Sequence, residues 1–325
     1  MNSLVKKIQN FAFHNQLFSQ GDKILIGISG GPDSICLSRV FLKLKEHYAL
    51  ELALLHVNYG LRGEASEDDE RFVKEFAKEH GLKLKVVRYK KDEISKERNL
   101  EAQMRSFRYQ EFEKFAKKEG FDRIALAHNI DDQTETFLMN LFRGSGAKGL
   151  SAMKARRERI IRPLLFVSKD EILEWLAQME QKYQIDKSNF DESFFRNKIR
   201  HKLIPILKEY SPQLETRVLQ LTENLQAENE IVEEIVEKKY NNIVESENKR
   251  YSVLVSDLVA LSTGMRKLLF RRIFKSVKGD IKNLSTNNFF EFNKILESNK
   301  SKNQKCITNG VLIERKSHRI IFLVK

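Results

Sequence analysis

The first two hundred residues alternate between short apolar runs and longer segments with the hydrophobic periodicity of helices. The pattern predicts strands at 23–29, 52–58, 84–89 and 123–127, and helices at 34–46, 65–80, 100–119 and 131–141. Strands separated by helices of this length are typical of βαβ units and of a parallel sheet covered on both faces. We therefore predict an α/β domain whose ligands bind at the carboxyl ends of the strands.

Beyond residue 212 this alternation ends. A long amphipathic pattern covers 214–240, helical segments follow near 257–277 and 285–297, and strand-like runs occupy 305–308, 311–314 and 319–324. Asn309-Gly310 is a favoured hairpin turn between the first two of these runs. The pattern predicts two domains, an α/β domain over 1–212 and a smaller, mostly helical α+β domain over 213–325.

The loop after the first predicted strand has the composition of a phosphate cradle. It consists of Ser29, Gly30, Gly31, Pro32, Asp33 and Ser34. Glycines let backbone amides approach an anion, serines add hydroxyl donors, and a helix N-terminus favours negative charge. The P-loop pattern GxxxxGK(S/T) is absent, and with it the lysine that reaches the β- and γ-phosphates. Asp33 would repel a phosphate unless a cation lay between them, which indicates Mg²⁺; the alternative is a helix N-cap.

Three acids follow the fourth predicted strand. Asp131, Asp132 and Glu135 stand at a predicted helix start, close in sequence to His128, where they could hold Mg²⁺ or position an amine. Helix capping is the alternative, and it explains one acid better than three. The sequence therefore favours a functional cluster here.

Other polar residues are weaker candidates. Arg105 and Arg108 have a helical spacing suited to phosphate contact, although exposed arginines are common on helices. His56 and Asn58 end the second strand and could face a base, but a buried core histidine is nearly as common. Arg143 opens an RGSG segment that suits either an anion nest or a helix C-cap.

The net charge of +13 in 325 residues favours a polyanionic partner, with a generally basic surface as the alternative. Basic residues are dense in two segments, 154–162 and 265–278. Cys36 and Cys306 have neither disulfide-framework nor zinc spacing, which predicts a reducing compartment. The N-terminus lacks a signal-peptide core, and no segment approaches roughly 18 consecutive apolar residues. We expect a cytoplasmic protein without a membrane partner.

The loop resembles the pyrophosphate loop of the N-type ATP pyrophosphatases, or PP-loop superfamily, which has a flavodoxin-like α/β fold and cleaves ATP between the α- and β-phosphates. Five further segments, in order, are similar to tRNA(Ile)-lysidine synthetases. They are LLHVNYGLRGEAS at 54–66, NLEAQMRSFRYQEF at 99–112, ALAHNIDDQTETFLMNLFRGSGAKGL at 125–150, IIRPLL at 160–165 and DKSNFDESFFRNKIRHKLIPIL at 186–207. Tyr59 and Asn129 stand where this family often has histidines.

The resemblance implies an activity. ATP with Mg²⁺ would adenylylate the C2 oxygen of cytidine 34 in the CAU anticodon of tRNA(Ile), and the ε-amine of free L-lysine would then displace AMP. Asp33, Asp132 and Glu135 are the predicted catalytic residues, with Asp33 and Asp132 also metal ligands. The loop, His56, Asn58 and Arg105 would bind the nucleotide. The predicted lysine and tRNA contacts are His128, Asp131, Arg143, Arg196, Arg200, Arg266, Arg271 and Arg272.

The resemblance also implies that 213–325 is a tRNA-recognition domain, that the chain is a shorter form with one such domain, and that a homodimer is to be considered. Alternatives remain open. A tRNA thiolase would use the same activation, but sulfur transfer generally needs cysteines near the site, and Cys306 is remote from the loop in sequence. Other PP-loop ligases of free amines would not need a basic C-terminal domain. A catalytically silent RNA-binding protein is the third alternative.

Overall fold

The structure, a computed structural model, describes residues 3–89, 100–185, 194–282, 284–298 and 304–325. It divides into two compact units, Met1–Gln226 and Ala227–Lys325. The division falls within the helix Leu214–Ile243, whereas the sequence pattern places it before that helix. The reason is that the first turns of the helix are hydrogen-bonded into the first unit, as described below.

The first unit is built on a six-stranded sheet. Its strands are β1 Lys23–Gly27, β2 Glu51–Asn58, β3 Lys83–Arg88, β4 Arg123–Ala125, β5 Arg156–Arg157 and β6 Ile160–Ile161, in the order β3-β2-β1-β4-β6-β5. All pairs are parallel except β5 with β6. The predicted parallel-sheet α/β fold is thereby confirmed. The order reverses between β1 and β4, and a crevice at such a switch point is where ligands of doubly wound sheets bind.

Helices cover both faces of this sheet. The helical segments that begin in the first unit are α1 Ser3–His14, α2 Pro32–Leu44, α3 Glu64–Glu79, α4 Leu100–Glu119, α5 Ile130–Phe142, α6 Ala147–Leu150, α7 Lys169–Gln178, α8 Phe195–Lys198, a π turn Ile199–Leu203, α9 Ile204–Tyr210 and α10 Leu214–Ile243. Alternate side chains of β1 enter different cores: Ile24 and Ile26 pack with α1, α2 and α7, while Leu25 packs with Phe112 and Ala116 of α4. This alternation is the period of a strand buried on both faces.

Two connections hold α5 in place. Leu138 of α5 packs with Ile199 and Ile204 in a small separate apolar cluster, which joins α5 to the segment 195–210. On another side, Gln133 is fully buried and bonds Met153 N, Met153 O and Thr222 Oγ1 at 3.0 to 3.1 Å. Thr222 lies on α10, so the start of α10 is tied to the helix that carries the predicted acids.

The second unit is a five-stranded antiparallel sheet with helices. Its elements after α10 are β7 Glu245–Glu247, β8 Arg250–Leu254, α11 Val255–Val259, α12 Thr263–Lys278, α13 Thr286–Leu296, β9 Gln304–Thr308, β10 Val311–Lys316 and β11 Arg319–Val324. The strand order is β7-β8-β11-β10-β9. Phe270, Phe292 and Phe322 are fully buried at its centre. Across the described ranges of both units, no helix combines the length and the apolar character needed to cross a membrane.

Candidate functional site

The phosphate loop follows β1 and leads directly into α2. Gly30 has φ +94°, in a region that residues with side chains rarely adopt. Gly31 is the N-cap of α2, and no side chain from the described residues caps it. The first amides of α2 are therefore available to an anion, as the sequence predicts. Asp33 lies inside the first turn of the helix, so the N-cap alternative does not describe it.

Hydroxyl groups brace this loop from within. Ser34 Oγ accepts from Ser29 N at 3.1 Å and donates to Gly31 O at 2.9 Å. Ser34 is buried, whereas Ser29 is exposed at the mouth of the loop. Pro32 opens the helix at its first position, where a missing N–H costs nothing. Ser34 thus shapes the loop, and Ser29 is the hydroxyl presented outward.

Asp33 is held by a lysine from a distant element. Lys169 Nζ donates to both carboxylate oxygens of Asp33 at 2.8 Å. Asn129 adds a bond to Asp33 Oδ1 at 3.3 Å. Burial raises the pKa of Asp33, and the charge of Lys169 opposes that rise. The loop sequence predicts a cation between Asp33 and a phosphate. In the structure, the ammonium of Lys169 lies beside Asp33, and it comes from α7, not from the loop.

The acids of α5 form a cluster with two arginines. Arg196 Nε donates to Glu135 Oε2 at 2.5 Å and Arg196 Nη2 to Asp132 Oδ1 at 2.7 Å. Arg200 Nε donates to the other oxygen of Glu135 at 2.5 Å, and the Glu135 side chain is fully buried. We call these four residues the acid–arginine cluster. Burial favours the neutral form of Asp132, but the nearby charges, Arg196 first, leave its pKa below the ordinary value.

Asn129 connects the loop to this cluster. It caps α5 in a capping box with Asp132, accepting from Asp132 N at 3.0 Å and donating its own backbone N–H to Asp132 Oδ2 at 3.1 Å. The same side chain bonds Asp33. Asp131 has a different role, because its Oδ2 accepts the backbone N–H of Lys169 at 3.0 Å and so fixes the start of α7. Asn129 and Asp131 hold the loop, α5 and α7 in one arrangement.

Basic residues approach His128 from two other elements. Burial lowers the pKa of His128 well below its ordinary value, and Arg162, Arg108 and Arg105 act in the same direction. The imidazole is therefore neutral at physiological pH. Arg105 lies over the ring of Tyr109, with 5.1 Å from its guanidinium carbon to the ring centroid. Of the predicted residues, His128 thus lies near Asp132 and near Arg105, both of which act on it electrostatically.

His56 and Asn58 are placed differently from one another. His56 Nδ1 is 2.9 Å from Ile28 O, and His56 Nε2 is buried with no partner in the described part of the chain. Asn58 Nδ2 donates to Glu70 Oε2 at 2.8 Å, and Asn58 Oδ1 accepts from Gly60 N at 2.8 Å. The amide of Asn58 is therefore engaged in the turn after β2, whereas His56 retains a free ring nitrogen for a ligand.

The predicted RNA contacts divide by exposure. Arg143 is exposed at the C-cap of α5, and Arg271 is exposed on α12. Arg266 is only 8% exposed and bonds Leu258 O and Glu297, so its side chain serves the core of the second unit. Arg272 is paired with Glu237 and lies 4.1 Å over the Tyr240 ring. Of these α12 arginines, Arg271 is the one presented to a partner.

Lys169 is the functional candidate that sequence reasoning missed. It follows the capping residue Ser168, and Ser168 with Glu171 forms a capping box that marks the start of α7. That signal was present in the sequence as SKDE. It predicts a helix start but carries no information that the helix would point its first side chain at Asp33. Part of the predicted segment 186–207, namely residues 186–193, lies outside the described residues.

The donor set fits a metal only in part. Within the described ranges, no group of three or more His, Cys, Asp and Glu side chains is arranged to hold an ion. Asp132 has Oδ1 bonded to Arg196 and Oδ2 to the backbone of Asn129, so both oxygens are engaged. Asp33 is a single carboxylate beside the phosphate loop. One carboxylate with substrate phosphates is a common way for proteins to bind Mg²⁺.

Comparison with known proteins places this geometry in context. A PP-loop domain model matches residues 2–207. A tRNA(Ile)-lysidine synthase of Clostridium perfringens is 35% identical over 316 residues, covering 94% of this chain and 66% of that protein. One from Geobacter sulfurreducens is 31% identical over 328 residues, covering 99% and 69%. The chain thus spans about two thirds of the length of these relatives.

A solved structure supports the fold. The U34-tRNA thiolase NcsA from Methanococcus maripaludis, with its 4Fe-4S cluster, matches 68% of this chain and 76% of its own, with a TM-score of 0.59 and 20% identity. This likeness concerns the fold alone. Because the PP-loop model spans most of the first unit and the Geobacter relative is matched over more than two thirds of its length, the chain belongs to the PP-loop family and, within it, to the tRNA(Ile)-lysidine synthases.

Proposed function

We propose that this protein joins L-lysine to C2 of cytidine 34 in tRNA(Ile) with a CAU anticodon, using ATP. One observation carries the proposal: Asn129 bonds Asp33 of the phosphate loop and also caps the helix of Asp132 and Glu135. A nucleotide in the loop would therefore lie beside the acid–arginine cluster. The choice of this reaction rests on relatives that match most of the chain and are named tRNA(Ile)-lysidine synthase.

In the first step, the C2 oxygen of the cytidine attacks the α-phosphorus of ATP. The bond between that phosphorus and the bridging oxygen breaks, and pyrophosphate leaves. The loop amides, Ser29 and the Lys169 ammonium would stabilise the charge that builds on the leaving group, as donors fixed in advance do in other transferases. Asp33 would hold Lys169 in place for this role.

In the second step, the ε-nitrogen of lysine attacks C2, the C2–O bond breaks, and AMP leaves with its oxygen. The attacking nitrogen must be uncharged and must lose a proton. A free amino acid carries both an ammonium and a carboxylate. The acid–arginine cluster presents both opposite charges within one site, which suits recognition of such a zwitterion.

Mg²⁺ would be bound by the ATP phosphates and by Asp33. In that role it would neutralise phosphate charge and orient the pyrophosphate for departure. We assign Asp132 to the lysine site because it belongs to the acid–arginine cluster, where Arg196 and Asn129 hold its two oxygens. Exposed basic residues of each unit, Arg143 in the first and Arg271 in the second, would contact the tRNA backbone, and we place the reaction in the cytoplasm. Whether the chain acts as a homodimer would be measured by sedimentation.

Incubation with ATP, labelled lysine and tRNA(Ile) bearing CAU tests the proposal. We expect label in the RNA, dependent on ATP, and none when the anticodon is changed to GAU. Incorporation of sulfur in place of lysine would favour a thiolase. That alternative is the weaker one, because Cys36 is buried, with a thiol pKa raised by burial, and so is a poor nucleophile.

A further inference from the structure

Two exposed aromatic rings stand beside the acid–arginine cluster. Phe142, the last residue of α5, is 59% exposed, and Phe195, the first of α8, is 46% exposed. Their ring centroids are 6.1 Å apart with planes at 75°. Leu141 and Phe194 next to them are also exposed. Two exposed rings in contact with one another are a candidate interaction surface on a folded protein. We call Phe142 and Phe195 the aromatic rim.

The position of the rim relative to the site follows from helix geometry. Phe142 is seven residues after Glu135 on α5, which places both on one face of the helix, about 10 Å apart along its axis. Phe195 directly precedes Arg196, whose guanidinium bonds Asp132 and Glu135. Leu138, which lies between Glu135 and Phe142 on α5, packs on Ile199 and so holds α5 against the segment that carries Phe195 and Arg196. The rim therefore lies about 10 Å along α5 from the acid–arginine cluster, the proposed lysine site, to which the reacting base must also come.

The two segments that carry the rim are basic, and their charge selects the kind of partner. The sequence has no acid between Glu135 and Glu158, and none from 194 to 208. The exposed basic residues of these two segments are Arg143, Lys148, Lys154, Arg156, Arg157, Lys198, Lys202 and Lys208. A protein partner with an apolar surface could pack on the rings, but it would not explain why these two segments carry basic residues and no acids. Aromatic rings set among cations are the composition of surfaces that bind unpaired nucleic acid.

We propose that Phe142 and Phe195 form a stacking platform for unpaired nucleobases of the RNA substrate, next to the reacting cytidine. The proposal rests on the proposed function and adds a base-binding subsite to it. At 3.4 Å per stacked nucleotide, the separation of about 10 Å corresponds to about three positions along the strand. The rim would bind the neighbouring loop bases by their faces, without reading their identity, and would keep the loop open while cytidine 34 enters the site.

Binding of a fluorescent anticodon stem-loop RNA with a CAU loop tests the platform, by anisotropy over a series of salt concentrations. We expect Phe142→Ala and Phe195→Ala each to weaken binding about tenfold, because stacking contributes about 1 to 3 kcal/mol per base. Phe142→Tyr and Phe195→Tyr should retain near-normal affinity. The salt dependence should be unchanged in all four variants, since no phosphate contact is removed, whereas Arg143→Ala should reduce its slope.

Two controls separate stacking from other effects. Phe13→Ala removes a ring that is 76% exposed on α1 and should leave RNA affinity unchanged. A blunt two-strand RNA duplex, which has no unpaired bases, should bind the wild type and the Phe→Ala variants equally. Equal affinity of the double Phe→Ala variant for the open stem-loop would overturn the platform and leave the proposed function intact. Failure of the wild type to bind the open stem-loop would overturn both the platform and the proposed function. A change of oligomeric state in the double variant, without loss of RNA affinity, would assign the rim to a contact between protein chains.

Discussion

Lys169 brings an ammonium from α7 to the phosphate loop, which has no lysine of its own. Its ammonium contacts both oxygens of Asp33, and each side chain is about one-third exposed, so the pair borders the space in front of the loop. An ammonium has three N–H donors and Asp33 accepts two of them, so the third can be given to a phosphate while Asp33 keeps its partner. We therefore propose that Asp33 holds Lys169 in front of the loop as a donor to the pyrophosphate when ATP binds.

The variant Lys169→Met tests this role. It keeps the length of the side chain but removes the charge, and we expect tRNA-dependent pyrophosphate release to fall by about 10²- to 10³-fold, as when one fixed donor is removed from a transition state. Lys169→Arg should recover part of the rate. Lys7→Met on α1 is the matched control, because Lys7 pairs with Glu171 on the surface of α7, and its loss should leave the rate unchanged. A rate close to wild type in Lys169→Met would remove Lys169 from the mechanism.

Residue identities were predictable where chemistry and local sequence coincide. The glycines, serines and Asp33 of the loop could be found because a turn between a strand and a helix constrains its own residues. Lys169 could not, since 136 positions of sequence separate it from Asp33. Arg266 is a different case. A buried arginine and an exposed one look alike in a run of basic residues, so the sequence places Arg266 among the RNA contacts although its side chain is buried.

At the scale of elements, a buried acid joins three of them beside the site. Glu70 of α3 bonds Arg88 at the end of β3 and Asn58 at the end of β2, and Arg88 first among its partners lowers the pKa of Glu70 to about 2. Because the folded pKa lies below the ordinary value of 4.5, the stabilisation is complete above pH 4.5 and is lost as the pH falls through about 2. The network fixes the turn that Asn58 begins.

The variant Glu70→Gln should therefore lower the free energy of unfolding at pH 7 by about 2 kcal/mol, the usual value for a hydrogen bond to a charged group. The difference from wild type should stay constant between pH 8 and 6 and shrink below pH 4.5, measured by urea unfolding. Glu67→Gln is the comparison, since Glu67 pairs with the same Arg88 but is about half exposed, and it should cost less than about 0.5 kcal/mol. Equal losses in the two variants would contradict this account.

Element types were predictable from periodicity, and the exceptions have physical causes. The helix predicted at 100–119 is observed at Leu100–Glu119. The strands β5 and β6 have two residues each, too few to show an alternation. The helical segment predicted at 257–277 is two helices, α11 and α12, because Ser262 caps a new helix and ends the continuity of the first. The predicted strand at 123–127 is shorter, ending at Ala125.

At the scale of the molecule, the net charge is +13, but not every basic side chain is available to a partner, because some are buried in the core. On α12, Arg271 and Lys275 are exposed one turn apart, whereas Arg266 on the same helix is buried. Charge reversal of the exposed pair, Arg271→Glu with Lys275→Glu, should weaken tRNA binding about tenfold or more at low salt and leave ATP binding unchanged. Arg266→Glu should instead lower the melting temperature. Unchanged tRNA affinity in the double variant would remove α12 from the RNA-binding surface.

In the proposed reaction, the loop without a lysine cleaves ATP between the α- and β-phosphates, and AMP is transferred to RNA. The most direct measurement supplies ATP labelled at the α-phosphate together with tRNA(Ile) bearing CAU, first without lysine and then with it. We predict label bound to the RNA in the absence of lysine, its release as AMP when lysine is added, and neither event with Asp33→Ala. Label that leaves as ADP, or RNA that never acquires label while ATP is consumed, would contradict the account.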